Sequence, residues 1–155
     1  MNMASNEPAG LEPGITRAGE GKVWSILGHT YYLKSECDSS FSFETYDPPG
    51  TFVPPHVHPH QDELIYVLAG VFDLYLDGQW TKAGPGDLVR MPRGIPHAYY
   101  NRTEVPSRAL FWVSPARRLK ELFDLIDNLA DPVEVVSRAA RYEVEFLPPG
   151  SVPGA

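Results

Sequence analysis

The chain has 155 residues, 43% hydrophobic and 21% charged, a balance that allows one globular domain and excludes wholesale disorder. Twenty acidic residues against thirteen Lys and Arg leave a formal net charge of −7, which argues against a nucleic-acid binder that neutralises phosphates. Sixteen Pro and thirteen Gly are too many for a helix bundle and suit short strands joined by tight turns.

Residues 1–14 are rich in Pro, Gly, Glu and Asn without apolar periodicity, and read as a flexible N-terminal arm with no basic-then-apolar leader pattern. Residues 15–113 carry short apolar runs at 23–27, 30–33, 41–46, 63–68, 72–76, 87–91, 97–101 and 109–113. Turn chemistry separates them: Asp47-Pro48-Pro49-Gly50, Asp77-Gly78, Gly84-Pro85-Gly86 and Pro92-Arg93-Gly94. Asp77-Gly78 has the composition of a two-residue hairpin turn. Many short strands at this spacing predict an all-β sandwich or barrel, of which the jelly roll is one form.

Residues 114–155 change in texture. Ser114-Pro115 reads as a helix cap and first helical residue, followed by an apolar stripe of Leu119, Leu122, Phe123, Ile126 and Leu129. Asp131-Pro132 repeats the signal for a second helix to about Arg141, and residues 142–147 read as a closing strand. The helices are expected to pack on the outside of the β domain without a chemical role. The lone Cys37 cannot close an internal disulfide, so a reducing cytoplasmic setting is expected, and its acidic flanks argue against a reactive thiolate. No run approaches the ~18 apolar residues of a membrane span.

The chemistry concentrates in Pro54-Pro55-His56-Val57-His58-Pro59-His60-Gln61-Asp62-Glu63. On a strand, side chains two apart share a face, so His56 and His58 aim the same way. Two such imidazoles with a carboxylate arriving from a neighbouring strand form a metal-binding arrangement. His60 follows Pro59, where the chain turns, and His97 is a further candidate. His29, in the first apparent turn, is expected at the surface without a partner.

Around these residues the spacing is regular. Gly50 is followed by His56-x-His58, four residues, Glu63, six residues and Gly70; a second block runs Gly86, five residues, Pro92-x-Gly94, two residues, His97, three residues, Asn101. The two blocks resemble the paired motifs of the cupin superfamily, with every fixed position filled. The resemblance implies a jelly-roll (double-stranded β-helix) barrel with a short C-terminal helical extension. It implies further that His56, His58, Glu63 and His97 hold one divalent transition metal, any of Fe, Ni, Mn, Co, Cu or Zn. Three neutral imidazoles and one carboxylate would leave such an ion about one net positive charge and, if six-coordinate, two open positions. The glycines are read as turn residues, and Asn101 as a hydrogen-bonding residue at a strand end.

The sequence from Pro54 to Glu63, the Ser114-Pro115 step and the closing Tyr142-x3-Phe146-Leu147-Pro148-Pro149 also resemble single-domain cupins grouped with quercetin 2,3-dioxygenases. That likeness implies a dioxygenase that cleaves or oxidises a flavonol-like, enolisable aromatic molecule, with Glu63 accepting the enol proton and no organic cofactor. The alternatives are a non-redox isomerase, lyase or cyclase, and a binding module without turnover. Strand parity places Ile65, Val67 and Tyr99 on the pocket side; Phe41, Phe43, Phe52 and Trp112 are further candidates, and Arg90 is expected to face solvent. A small-molecule substrate, possible use of dioxygen and a homodimer joined through the N-terminal arm or the 23–33 hairpin complete the expectation.

Overall fold

The computed structural model describes residues 9–155. Ten strands come first: β1 (Val23–Ile26), β2 (His29–Cys37), β3 (Ser40–Asp47), β4 (Phe52–Val57), β5 (Asp62–Ala69), β6 (Phe72–Leu76), β7 (Gln79–Ala83), β8 (Leu88–Met91), β9 (His97–Tyr100) and β10 (Ser107–Ser114). Helices α1 (Leu119–Ile126) and α2 (Pro132–Ala140) follow, then the short strand β11 (Glu145–Phe146). They form two antiparallel sheets, ordered β1-β2-β3-β10-β5-β8 and β11-β4-β9-β6-β7. The non-sequential neighbours make this a double-stranded β-helix rather than a simple meander.

Alternation drives the packing. In β3 and β10 every second side chain is buried, which puts Phe41, Phe43, Ala109, Phe111 and Val113 into the space between the sheets. Trp24, Ile65, Val67, Phe72 and Leu74 complete this core. The Asp77-Gly78 hairpin joins β6 to β7, with both residues at positive φ (45° and 85°) as a two-residue turn of this type demands. Gly70 has φ 74° and lies against the β10 entry, where an added Cβ would sit 2.8 Å from the Pro106 carbonyl oxygen, so no side chain fits.

Pro54 and Pro55 lie inside β4, at the irregularity between the Val53↔Tyr99 and His56↔His97 pairs. Prolines cannot donate to a ladder, and a bulge accommodates them while aiming the next residues inward. Residues 1–8 of the expected arm lie outside the described residues. Residues 9–14 are exposed without regular structure, and Ala9 is tied to Asp38 by a backbone bond of 3.0 Å and a side-chain bond of 2.9 Å.

Two helix expectations fare differently. Asp131 caps α2, its carboxylate accepting from the Val133 N–H at 3.0 Å with Pro132 as the first helical residue. Ser114 does not cap α1. It ends β10, paired with Asp62, and its hydroxyl donates to the Ser39 carbonyl, so α1 begins four residues later than Pro115 with Arg118 at the cap. Arg90 is exposed as expected. Cys37 is half-buried, and hydrogen bonds from Ser39 and then Ser40 lower its thiol pKa, against the expectation drawn from its acidic neighbours.

Candidate metal centre

His56 and His97 face each other across the β4–β9 ladder, with ring centroids 4.3 Å apart, and His58 follows just after β4. Each of the three offers a nitrogen, and these atoms lie within 4.8 Å of one another. Glu63 comes from β5 in the opposite sheet, where it pairs with Val113 and Met91, and its Oε2 stands 3.0 Å from His58 Nε2. All four side chains are buried. Glu63 is not part of the three-nitrogen triangle but stands at its side.

The outer ring nitrogens are anchored. His56 Nδ1 donates to the Pro54 carbonyl at 2.8 Å and His97 Nδ1 to the Ile95 carbonyl at 3.3 Å. His58 Nδ1 donates to Gln61 Oε1 at 3.0 Å. The Gln61 amide orientation is fixed, since its nitrogen donates to the Pro115 and Ala116 carbonyls at 3.1 and 2.7 Å. With the proton held at Nδ1, the neutral rings of His56 and His97 direct an Nε2 lone pair inward. His97 Nε2 is buried with no hydrogen-bond partner among the described residues. A buried orphan acceptor is costly, and here it points at a cluster of other donors to a cation. The set fits a divalent transition metal.

Electrostatics agree. Burial, then the neighbouring His97 and His58, holds His56 well below the usual imidazole range, and burial holds His97 at about 4. Burial alone would lower His58, but the Glu63 carboxylate outweighs it and raises that ring. Glu63 in turn is lowered, because the charge and hydrogen bond of His58 overcome the burial that would raise it. His56, His58, His97 and Glu63 would hold a divalent ion in place of the proton between His58 and Glu63, and the low values of His56 and His97 keep those two rings neutral, as ligation would require.

Beside the centre lies a cavity of about 510 Å³. His56, His58 and Glu63 contribute to its wall, along with Tyr99, which strand parity had suggested, and Phe43 and Phe52 from the further candidates. Ile65 and Val67 are fully buried in the core but do not line it; Phe41 is likewise core. Trp112 is half-buried on the outward face of β10, and its neighbour Phe111 lines the cavity instead. His60 is exposed.

Two features were not foreseen. The helices do not merely pack outside: Leu119, Leu122, Phe123 and Ile126 of α1 and Val135 and Ala139 of α2 close one side of the cavity. His29 is buried rather than superficial, with Nδ1 2.5 Å from Asp47 Oδ1 and Nε2 3.0 Å from the Phe52 carbonyl oxygen. Asp47 also accepts from Thr45 Oγ1 at 2.6 Å. Its distance in sequence from His29 left no spacing signal. Asn101 performs the hydrogen-bonding role expected of it, donating to the Asp47 and Val105 carbonyls at 3.0 and 2.8 Å.

Comparison with known proteins agrees with this architecture. A family profile described as a cupin domain matches residues 43–113. The tetracenomycin polyketide synthase protein TcmJ of Streptomyces glaucescens is 31% identical over 125 residues, 77% of this chain and 74% of that protein. The quercetin 2,3-dioxygenase of Bacillus subtilis is 27% identical over 96 residues, 59% of this chain but 28% of that protein. Among solved structures, KdgF from a Halomonas species superposes with a TM-score of 0.65 at 21% identity, over 70% of this chain and 99% of the other.

Proposed function

The chain belongs to the cupin family, and on that premise we propose that it is a metal-dependent enzyme that deprotonates a flat, polycyclic ketone or phenol to its enolate or phenolate. The observation that carries this reading is the convergence of three anchored imidazoles with the Glu63 carboxylate, 3.0 Å from His58 Nε2, where His56, His58 and Glu63 line an apolar cavity. When bound, a divalent ion supplies Lewis acidity that favours the enolate form of a ketone or phenol. Glu63 is the group able to take the proton at Oε1 or Oε2, from the α-carbon of a ketone or from the hydroxyl of a phenol. Helices α1 and α2 exclude water from the substrate with apolar side chains, and the aromatic walls of Phe43, Phe111 and Tyr99 suit a planar ring. The Streptomyces relative supports a polyketide-type substrate, for which enolisation leads to ring closure or isomerisation without an oxidant.

A second reading is favoured by the Bacillus relative: the same enolisation followed by attack of dioxygen on the ring, giving oxidative cleavage. The two separate cleanly. Protein loaded in turn with iron, nickel, manganese and zinc is incubated with a flavonol and with a polyphenolic β-diketone, with and without dioxygen. Product formed anaerobically, with zinc active, supports ring closure or isomerisation; stoichiometric oxygen uptake supports the dioxygenase. No turnover of either compound with any metal overturns both.

A further inference from the structure

Tyr31 in β2 and Tyr99 in β9 belong to opposite sheets, and their hydroxyl oxygens meet 2.6 Å apart at the cavity wall. Two phenols carry two protons, and one hydrogen bond between them consumes one. The other needs an acceptor. Around the pair stand rings that cannot supply one: Phe43 and Phe123 lie 5.1 and 5.2 Å from Tyr31, and Phe111 and Phe72 lie 5.1 and 5.8 Å from Tyr99, centroid to centroid. His29 packs against both phenols, at 5.7 and 5.6 Å, but its two nitrogens are already engaged by Asp47 and the Phe52 carbonyl. Among the described residues neither tyrosine hydroxyl has another hydrogen-bond partner.

The cavity therefore has two polar poles in an apolar wall. One is the imidazole–carboxylate cluster. The other is the phenol pair, placed by Tyr99 two residues along β9 from His97, or about 7 Å of strand. We propose that the Tyr31–Tyr99 pair is a specificity-determining hydrogen-bond donor that holds a second oxygen of the ligand, so the ligand is a planar molecule oxygenated at two separated positions. This rests on the reading of the site as one that binds an enolisable ring through its first oxygen.

The test uses zinc-loaded protein, which is redox-inert, and fluorescence titration with 3-hydroxyflavone and its 2′-, 3′- and 4′-hydroxy derivatives, which set the second oxygen at three distances. At least one derivative binds about 3- to 30-fold tighter than the parent, the worth of one good hydrogen bond. In the Tyr31→Phe/Tyr99→Phe double variant that gain disappears, the ratio of derivative to parent affinity falling to about one. If the double variant does not fold, the single variants decide: the one that removes the ligand-facing hydroxyl loses the gain. No gain for any derivative, or a gain that survives in the double variant or in both singles, overturns the assignment. A pair that only ties the sheets together lowers the melting temperature without altering the preference. Failure of 3-hydroxyflavone itself to bind strikes at the enolising reading, and at this inference with it; binding without a gain strikes at this inference alone.

Discussion

Phe146 stands directly opposite His56 across the β11–β4 ladder, its ring 5.3 Å from the imidazole. A strand of two residues thus lays an aromatic side chain beside a metal-ligand candidate, and the same ring lines the cavity.

Phe146→Ala leaves the nitrogen cluster in place and removes one wall of the cavity. Zinc content by elemental analysis stays at the parent level, while 3-hydroxyflavone affinity falls about tenfold, as expected for loss of one aromatic contact. Loss of zinc together with the ligand would show that the strand supports the metal centre itself.

Gln61 grips His58 from behind and is held by the loop leading into α1. Partners of this kind fix ring orientation, and losing one costs ~10- to 100-fold in metal affinity. Gln61→Ala is expected to show that loss in a competitive zinc titration, with the far-ultraviolet spectrum unchanged. An unaltered affinity would mean that His58 is oriented without it.

Glu63→Gln keeps the shape of the side chain but removes its basicity. Turnover of an enolisable substrate falls by at least ~100-fold, the usual contribution of a positioned base, while that substrate still binds. Turnover near the parent rate would assign proton removal to another group.

Acid should unfold the chelated protein early. His97 is held at about 4 when folded, and His56 well below its usual range, so both bind protons only on unfolding between about pH 6.5 and the folded values. Their contribution is complete above pH 6.5 and drains away as pH falls toward 4, by about 3 kcal/mol for His97. Glu63, lowered in the fold, also loses its contribution as pH falls. His58 works the other way, adding stability at low pH that fades as pH rises through its raised value. The metal-free protein therefore melts lower at pH 5 than at pH 7, and His97→Asn narrows the difference. Equal melting at both pH values would contradict this account.

Phe123 joins the helical segment to the barrel, its ring within 5.0 to 5.7 Å of Trp24, Tyr31, Phe41 and Phe43. Phe123→Ala is expected to cost about 3–5 kcal/mol in chemical denaturation. A cost below ~1 kcal/mol would mean that α1 docks independently of this ring.

Much of the frame is legible in sequence because its signals are local. Alternation in β3 and β10, the Asp77-Gly78 turn, the Asp131-Pro132 cap and the shared face of His56 and His58 all depend on neighbours within a few residues. What escaped depends on distant pairing. Trp112 is a pocket candidate in the sequence and Phe111 is not, because the face of β10 that turns inward is chosen only by its register against β3 and β5. His29 is buried by Asp47 across the β2–β3 pair, and Ser114 is retained by a strand ladder instead of a helix. An apolar stripe on α1 announces burial without saying that its other neighbour is a ligand cavity.

That stripe, with α2 and β11, spans one continuous stretch, Leu119 to Phe146, whereas every proposed ligand atom for the ion comes from the strands before it or the loop after β4. The candidate ligands of the ion and the helical side of the cavity wall are thereby written on separate lengths of polypeptide. Grafting a foreign tail after Ala116, so that the Pro115 and Ala116 carbonyls still hold Gln61, should reshape one side of the cavity while leaving the candidate ligands of the ion in place, which makes the step between Ala116 and Leu119 the natural seam for engineering.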